Sequence, residues 1–265
     1  MSTRIFYFTG SGNALAIARA IADGLGSAEI APMAKHLDGY TGGDEDRIGL
    51  VTPVYAWGPP RMVADFTRRL RPQQGQYVFA VATCAGSPGR TLIRLRKVLR
   101  ANGSDLEAGF AVRGDFLARF PGMDEIAIIK LIRWLGRKHV PPQASKRIPE
   151  IVEAVAAKRS HAPETGNLAV NLASSPIYAG AIRSFRKADS GFSVSDACTS
   201  CGICARVCPR ENVRLESGRP VWHGNCEMCH GCIFWCPENA ILTQGKSRTD
   251  PAHHPNVTVA DMLVR

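Results

Sequence analysis

Two stretches of one pattern constrain this chain more than anything else in it. CTSCGICARVCP and, 28 residues on, CEMCHGCIFWCP both read C-x2-C-x2-C-x3-C-P. They place Cys198, Cys201, Cys204 and Cys208 before Pro209, and Cys226, Cys229, Cys232 and Cys236 before Pro237. Eight of the nine cysteines lie here, so the pattern is an internal repeat of one chemical unit. Three cysteines at intervals of three let one tight loop wrap an iron–sulfur cubane, with each thiolate on its own iron and backbone N–H groups turned to the sulfides. Gly202 and Gly231 sit inside these loops, where a side chain would obstruct close approach. The cysteine before proline leaves its own loop for the other cluster. The expected ligand sets are therefore Cys198, Cys201, Cys204 and Cys236 on one [4Fe-4S] cluster, and Cys226, Cys229, Cys232 and Cys208 on the other.

Two other uses of cysteine fit less well. Zinc sites pair C-x2-C knuckles across a longer spacer, with four ligands per ion, unlike these runs ending in Cys-Pro. A disulfide framework belongs to secreted chains, and the N-terminus runs straight into Ile5-Phe6-Tyr7-Phe8 with no basic region or cleavage site. The expected setting is cytoplasmic and reducing. Over about residues 190–245 the chain resembles a bacterial-type 2[4Fe-4S] ferredoxin domain. The likeness includes the flanks Phe192-Ser193-Val194, Asn212-Val213 and Asn239-Ala240-Ile241, which in such domains form short antiparallel strands.

The 265 residues leave room for a larger domain ahead of the cysteines. No run of 18 apolar residues suggests a membrane span. The net charge of +10 is uneven: residues 1–150 hold 21 Lys/Arg against 13 Asp/Glu, and residues 194–265 hold seven of each. Such a field suits an acidic protein redox partner or an anionic membrane surface, and is most simply a solvated basic surface with no dedicated partner. No motif supports nucleic-acid binding.

Arg4 to Phe8 is a β-prone apolar run ending in Thr9-Gly10-Ser11-Gly12-Asn13, and Ala14 to Ala22 reads as a helix stopping near Gly24 and Gly26. A strand, a Gly/Ser/Thr turn and a helix start make an anion cradle of backbone N–H groups and hydroxyls. No lysine follows the turn, which excludes a Walker A loop, and G-x-G-x-x-G is absent too. The cradle suits a single phosphate monoester such as that of FMN. Ile48 to Pro53 reads as a buried parallel strand, followed by Val54-Tyr55-Ala56-Trp57-Gly58-Pro59-Pro60 and a helix from Arg61 to Leu70. Tyr77 to Thr83 is a further strand, ending in Cys84-Ala85-Gly86-Ser87-Pro88-Gly89, with a basic helix from Arg90 to Arg100 and a last strand near Glu107 to Val112. This βαβα alternation implies a parallel sheet covered on both faces, with ligands beyond the carboxyl ends of its strands.

FTGSGNA resembles the FMN-phosphate fingerprint of flavodoxins, with Ala14 where a hydroxyl residue often stands and Asn13 as a substitute donor. The resemblance implies a doubly wound α/β domain of strand order 2-1-3-4-5. It also implies an FMN site built from Thr9, Gly10, Ser11, Gly12, Asn13 and Ala14; from Pro53, Val54, Tyr55, Ala56, Trp57 and Gly58; and from Thr83, Cys84, Ala85, Gly86 and Gly89. An aromatic face stacks on the flavin ring, and Trp57 is favoured over Tyr55. Cys84 reads as a small buried residue rather than a redox thiol.

Between the two ends, Ile126 to Leu135 carries an amphipathic stripe expected to pack on its own domain rather than on a membrane surface, and Ile148 to Lys158 reads as a last helix. His161 to Ser175, with Pro163, Gly166 and Pro176, reads as a linker, and the tail with His253-His254-Pro255 as loosely ordered surface. The expected domains are 1–160, a connector 161–189, 190–245 and a tail 246–265. The whole is similar to flavodoxin–ferredoxin fusion proteins, which implies an electron carrier relaying between FMN and two [4Fe-4S] clusters. A flavin-dependent reductase and a non-redox iron–sulfur sensor or scaffold are the alternatives. A reductase needs a constellation of acid, base and substrate anchor, and none is visible, although Tyr55 is a conceivable proton donor.

Overall fold

A computed structural model of the chain describes residues 1–114, 144–247 and 253–264. The described residues divide into two compact units: 1–8, 14–114 and 144–180 form one, and 9–13, 181–247 and 253–264 the other.

The first unit is built on five strands, β1 (Thr3–Tyr7), β2 (Ala28–Pro32), β3 (Arg47–Pro53), β4 (Tyr77–Cys84) and β5 (Ala108–Arg113). All pair in parallel in the order β2-β1-β3-β4-β5, the flavodoxin-like doubly wound order. Ile5 lies between Ile30 and Gly49, which fixes the register of the central strands. Every residue of β4 is buried, as a strand covered on both faces must be. Gly49 is required here, because a Cβ would stand 2.5 Å from the Phe79 ring. Helix α1 (Asn13–Leu25) turns Ala14, Leu15, Ile17, Ala18 and Ile21 inward at helical spacing. Helices α2 (Arg61–Arg69), α3 (Thr91–Ala101) and α4 (Ala144–Ala156) complete the layers.

Strand β2 carries no apolar run that sequence periodicity detects, because it is a half-exposed edge strand. Between β2 and β3 the chain has only a 3-10 turn at Met33–His36 and a two-residue strand, Tyr40–Thr41, pairing with Leu70–Arg71. The expected linker from His161 to Ser175 takes a different form. His161 pairs alongside Ala108, its N–H donates to the Glu107 carbonyl at 2.9 Å, and the Glu164 N–H donates to Gly109 O at 3.1 Å. Then α5 (Leu168–Phe185) runs for 18 residues through Pro176. Pro176 removes one helical donor but lies on an exposed side of the helix, so the break expected of it does not occur. The Ile126–Leu135 stripe lies outside the described residues.

In the second unit, β6 (Phe192–Val194) pairs antiparallel with β9 (Ile241–Thr243), and β7 (Val213–Glu216) with β8 (Arg219–Trp222). The short helices α6 (Ile203–Arg206) and α7 (Gly231–Phe234) repeat at the 28-residue offset of the cysteines. The tail is more structured than the sequence suggests. Val257 and Met262 are buried, and Thr258 and Asp261 form a capping box on α8 (Val259–Met262). Among the described residues no helix is long and apolar enough to cross a membrane.

Candidate functional site

The cysteine loops owe their shape to left-handed residues. Ser200 (φ 58°) and Gly202 (φ 73°) flank Cys201, and at the same offset Met228 (φ 56°) and His230 (φ 56°) flank Cys229. Such turns aim successive N–H groups into the loop. His230 takes the left-handed place that Gly202 holds in the first run, and Gly231 opens α7. His230 is buried against Phe192 and Phe234, and burial pushes its pKa down to about 4.

The fold brings the cysteines together across the repeat. Cys198, Cys201, Cys204 and Cys236 line one cavity with Gly202 and Ile203. Cys208 lies close enough to Cys226, Cys229 and Cys232 for its charge to act on all three. Burial, with neighbouring thiols adding to it, pushes Cys204 and Cys226 up to about 11, and Cys229 and Cys232 well above the ordinary thiol value. Thiolates so placed need positive charge among them, which is what iron supplies. Three backbone N–H groups already donate to sulfur: Asn212 to Cys208 Sγ at 3.3 Å, Ala240 to Cys236 Sγ at 3.3 Å and Met228 to Cys226 Sγ at 3.2 Å. Among the described residues no group of three or more His, Cys, Asp or Glu is placed to hold a single metal ion. Cys198, Cys201, Cys204 and Cys236 are sulfur donors around one cavity, a donor set that a multi-iron group would use with each sulfur on its own iron.

Bracing groups around these loops escaped the sequence reading. Asn212 Nδ2 donates to Asp189 Oδ2 at 2.7 Å, and the same oxygen accepts from Gly224 N–H at 3.1 Å. Arg210 Nε meets Glu227 Oε2 at 2.7 Å, with Glu227 buried and Arg210 half-buried. Their only sequence signal is adjacency to the cysteine runs.

The turn Thr9–Asn13 follows β1 in sequence. Its Gly12 N–H donates to Thr9 Oγ1 at 2.9 Å, and Asn13 Nδ2 donates to Ser11 Oγ at 3.1 Å. One of the two Asn13 Nδ2 hydrogens is thus engaged within the turn. The N–H groups of Gly10, Ser11 and Asn13 meet no acceptor among the described residues, and α1 starts here. A phosphate monoester fits that donor set. Carbonyls of the turn are engaged elsewhere in the second unit: Trp235 Nε1–H donates to Gly10 O at 2.8 Å, and His254 N–H to Ser11 O at 2.7 Å. Both glycines are required. A Cβ on Gly10 would stand 1.9 Å from the Cys229 carbonyl oxygen, and on Gly12 (φ +89°) 2.9 Å from Val257.

In the first unit, Tyr55 and Gly58 exchange two backbone hydrogen bonds at 2.8 and 3.0 Å across Ala56 (φ 48°) and Trp57 (φ 62°). Two consecutive left-handed residues make a type I′ turn, which costs roughly 1–2 kcal/mol per non-glycine residue. Contacts hold it. Gly89 (φ +53°) lies so close that a Cβ would meet Trp57 Cβ at 2.4 Å, and the Arg90 N–H donates to Trp57 O at 3.1 Å. The Tyr178 ring of α5 covers Gly58, where a Cβ would come within 2.3 Å. Its hydroxyl donates to Pro59 O at 2.8 Å, and the Arg94 guanidinium stacks 4.3 Å from the ring centre. Tyr178 and Arg94 were not expected at this turn. Pro53, Val54 and Ala56 are half-buried, as are Tyr55 and Trp57. Thr83 and Cys84 are buried at the end of β4, followed by half-buried Ala85 and exposed Gly86. Burial pushes the Cys84 thiol up to about 12, so it is inert at neutral pH.

No protein-family model matches the chain. No curated protein matches it in sequence. Among solved structures it is similar to the Fusobacterium nucleatum flavodoxin bound to flavin mononucleotide (14% identity, 60% of this chain and 99% of that one, TM-score 0.37). It is also similar to the flavodoxin of Streptococcus pneumoniae TIGR4 (16% identity, 55% and 99%, TM-score 0.34). A third likeness is to the rubredoxin oxygen:oxidoreductase of Desulfovibrio gigas (16% identity, TM-score 0.33), where 58% of this chain spans only 36% of that protein. Likenesses of this size carry no inference about ligands or activity.

Proposed function

We propose that the chain is an electron-transfer iron–sulfur flavoprotein. FMN accepts one or two electrons and each [4Fe-4S] cluster accepts one, so the pair converts between the two kinds of transfer. Cys198, Cys201, Cys204 and Cys236 hold one cluster, and Cys226, Cys229, Cys232 and Cys208 the other. The observation that carries this reading is the crossing itself: each run contributes its fourth cysteine to the other set, which single-ion sites do not require. The N–H groups of Asn212, Ala240 and Met228 stabilise charge on their sulfurs. The free N–H groups of the Thr9–Asn13 turn bind the FMN phosphate, and the loops 53–58 and 83–89 position its ring. The protein is placed in the cytoplasm, where its basic N-terminal part meets acidic redox proteins.

The test is anaerobic purification followed by assay of iron, acid-labile sulfide and released flavin. About eight iron, eight sulfide and one FMN per chain are expected. Iron and sulfide without flavin, even after FMN is added, would refute the relay.

A further inference from the structure

Asp189 is 6% exposed, and among the described residues its carboxylate meets two amides and no cation. Arg186 and Lys187, its nearest cations in sequence, are exposed. Asn212, which donates to Asp189, is bound on its other sides too. Its N–H donates to Cys208 Sγ at 3.3 Å, and its Oδ1 accepts from the Asn225 N–H at 2.6 Å. The carboxylate is therefore seated between the end of the first cysteine run and the start of the second, and its charge reaches Cys226. Burying a charge without a cation is costly, and stability alone gives no reason to keep it. The repeat offers no counterpart. At the 28-residue offset Asn212 becomes Ala240, whose N–H reaches Cys236 Sγ at the same 3.3 Å but which has no side-chain donor. Gly224 corresponds to Asp196, which is exposed and lies 3.6 Å from Arg219. Glu238 lines the cavity of the other set but is exposed, so water and salt screen it. Glu227 is buried next to Cys226, but Arg210 offsets its charge at 2.7 Å.

We infer that Asp189 makes the two cysteine sets unequal electron acceptors: its uncompensated charge holds the set Cys226, Cys229, Cys232 and Cys208 at the lower potential, and the first electron resides on the set Cys198, Cys201, Cys204 and Cys236. This rests on the two-cluster reading above and on nothing about the flavin. The step is the transfer of one electron from an outside reductant into a set, with no bond made or broken and no proton moved. The negative charge so added is what Asp189 opposes. A buried unit charge acting through an effective dielectric near 20 is worth about ten-fold in that equilibrium, roughly 59 mV for one electron.

The test uses anaerobically prepared full-length holoprotein, with iron and sulfide counted first. A preparation without two clusters' worth of both refutes the underlying reading rather than the inequality. Dithionite is then added until the clusters hold one electron per chain. Proton NMR of the hyperfine-shifted cysteine β-protons, assigned residue by residue, reads the share of that electron on each set. The wild type should favour the set Cys198, Cys201, Cys204 and Cys236 by about ten to one. The preference should persist in about 1 M salt, where the screening length falls to about 3 Å and an exposed charge ceases to act. Equal sharing, the opposite preference, or a preference that salt removes overturns the inference. Both hydrogen bonds to Asp189 end on the one oxygen Oδ2, so the amide oxygen of Asp189→Asn can accept them and only the charge is lost. Sharing in this variant should approach one to one, while Glu238→Gln should share as the wild type does. A preference that survives Asp189→Asn with both clusters retained, or that Glu238→Gln abolishes, overturns the role of Asp189. Should Asp189→Asn lose its clusters, Asp189→Glu carries the test: it keeps the charge and must keep the preference.

Discussion

Tyr178 clamps a strained turn from 120 residues away in sequence, and removing it has a cost that the contacts allow to be worked out. Its hydroxyl bond to Pro59 O is worth about 1 kcal/mol. The Arg94 stack contributes roughly 0.5–1 kcal/mol, and the covered part of the ring about 1 kcal/mol. Tyr178→Ala should therefore loosen the turn by about 2–3 kcal/mol, the lower end applying if Ala56 and Trp57 relax from their left-handed conformations. Tyr178→Phe keeps the ring and should cost about 1 kcal/mol. Amide hydrogen exchange reads this locally, because the Gly58 and Arg90 N–H groups bond within and onto the turn. Exchange there should speed about five-fold in Tyr178→Phe and on the order of a hundred-fold in Tyr178→Ala. A double-mutant cycle with Arg94→Leu should return a coupling of roughly 0.5–1 kcal/mol. If Tyr178→Phe exchanges like the wild type and the cycle is additive, the clamp is a bystander and the turn is held by Gly89 alone.

Other outcomes follow from the same geometry. Cys84 should resist alkylation in the folded protein at pH 8. Its pKa, raised to about 12, means that folding stability is full below the ordinary thiol value of 9.0 and declines as pH rises above it, and rapid labelling of native protein would contradict this. Asp105 receives Arg96 and Arg100, and the Arg96 hydrogen bond above all holds its carboxyl well below the usual range. Its contribution, about 1 kcal/mol after screening, is present above roughly pH 4 and is lost as pH falls below that; Asp105→Asn should flatten this part of the acid-unfolding curve. Pro176→Ala restores a donor in the interior of α5 and should raise stability by about 1–2 kcal/mol, measured by urea unfolding; a lower midpoint would show that the proline is needed there. Stripping iron with a chelator should abolish amide protection in the β6–β9 and β7–β8 pairs while the five-stranded sheet keeps its protection; equal protection before and after would mean that this unit folds without metal.

Local chemistry made much of this protein legible from its residues. The 28-residue cysteine offset predicts both loops, and Cys198, Cys201, Cys204 and Cys236 line one cavity. Strand β1, its Gly/Ser turn and helix α1 are a continuous stretch whose periodicity needs no distant contact to be seen, and buried β3 and β4 announce themselves as apolar runs. Strand β2 does not, since an edge strand only half buried needs no apolar run. The left-handed backbone at His230 leaves no such signal, because a histidine holds it by packing against Phe192 and Phe234. The tail and α5 were misread for the opposite reason: prolines and polar residues suggest loops. Burial of Val257 on Gly12, and Tyr178 seated on Gly58, order those segments from outside. The sequence alone determined which chemical groups the chain carries and the local shape of their loops. Only the tertiary structure decided that Trp235 meets Gly10, because a contact across 225 residues leaves no periodic trace and depends on the shape of both surfaces.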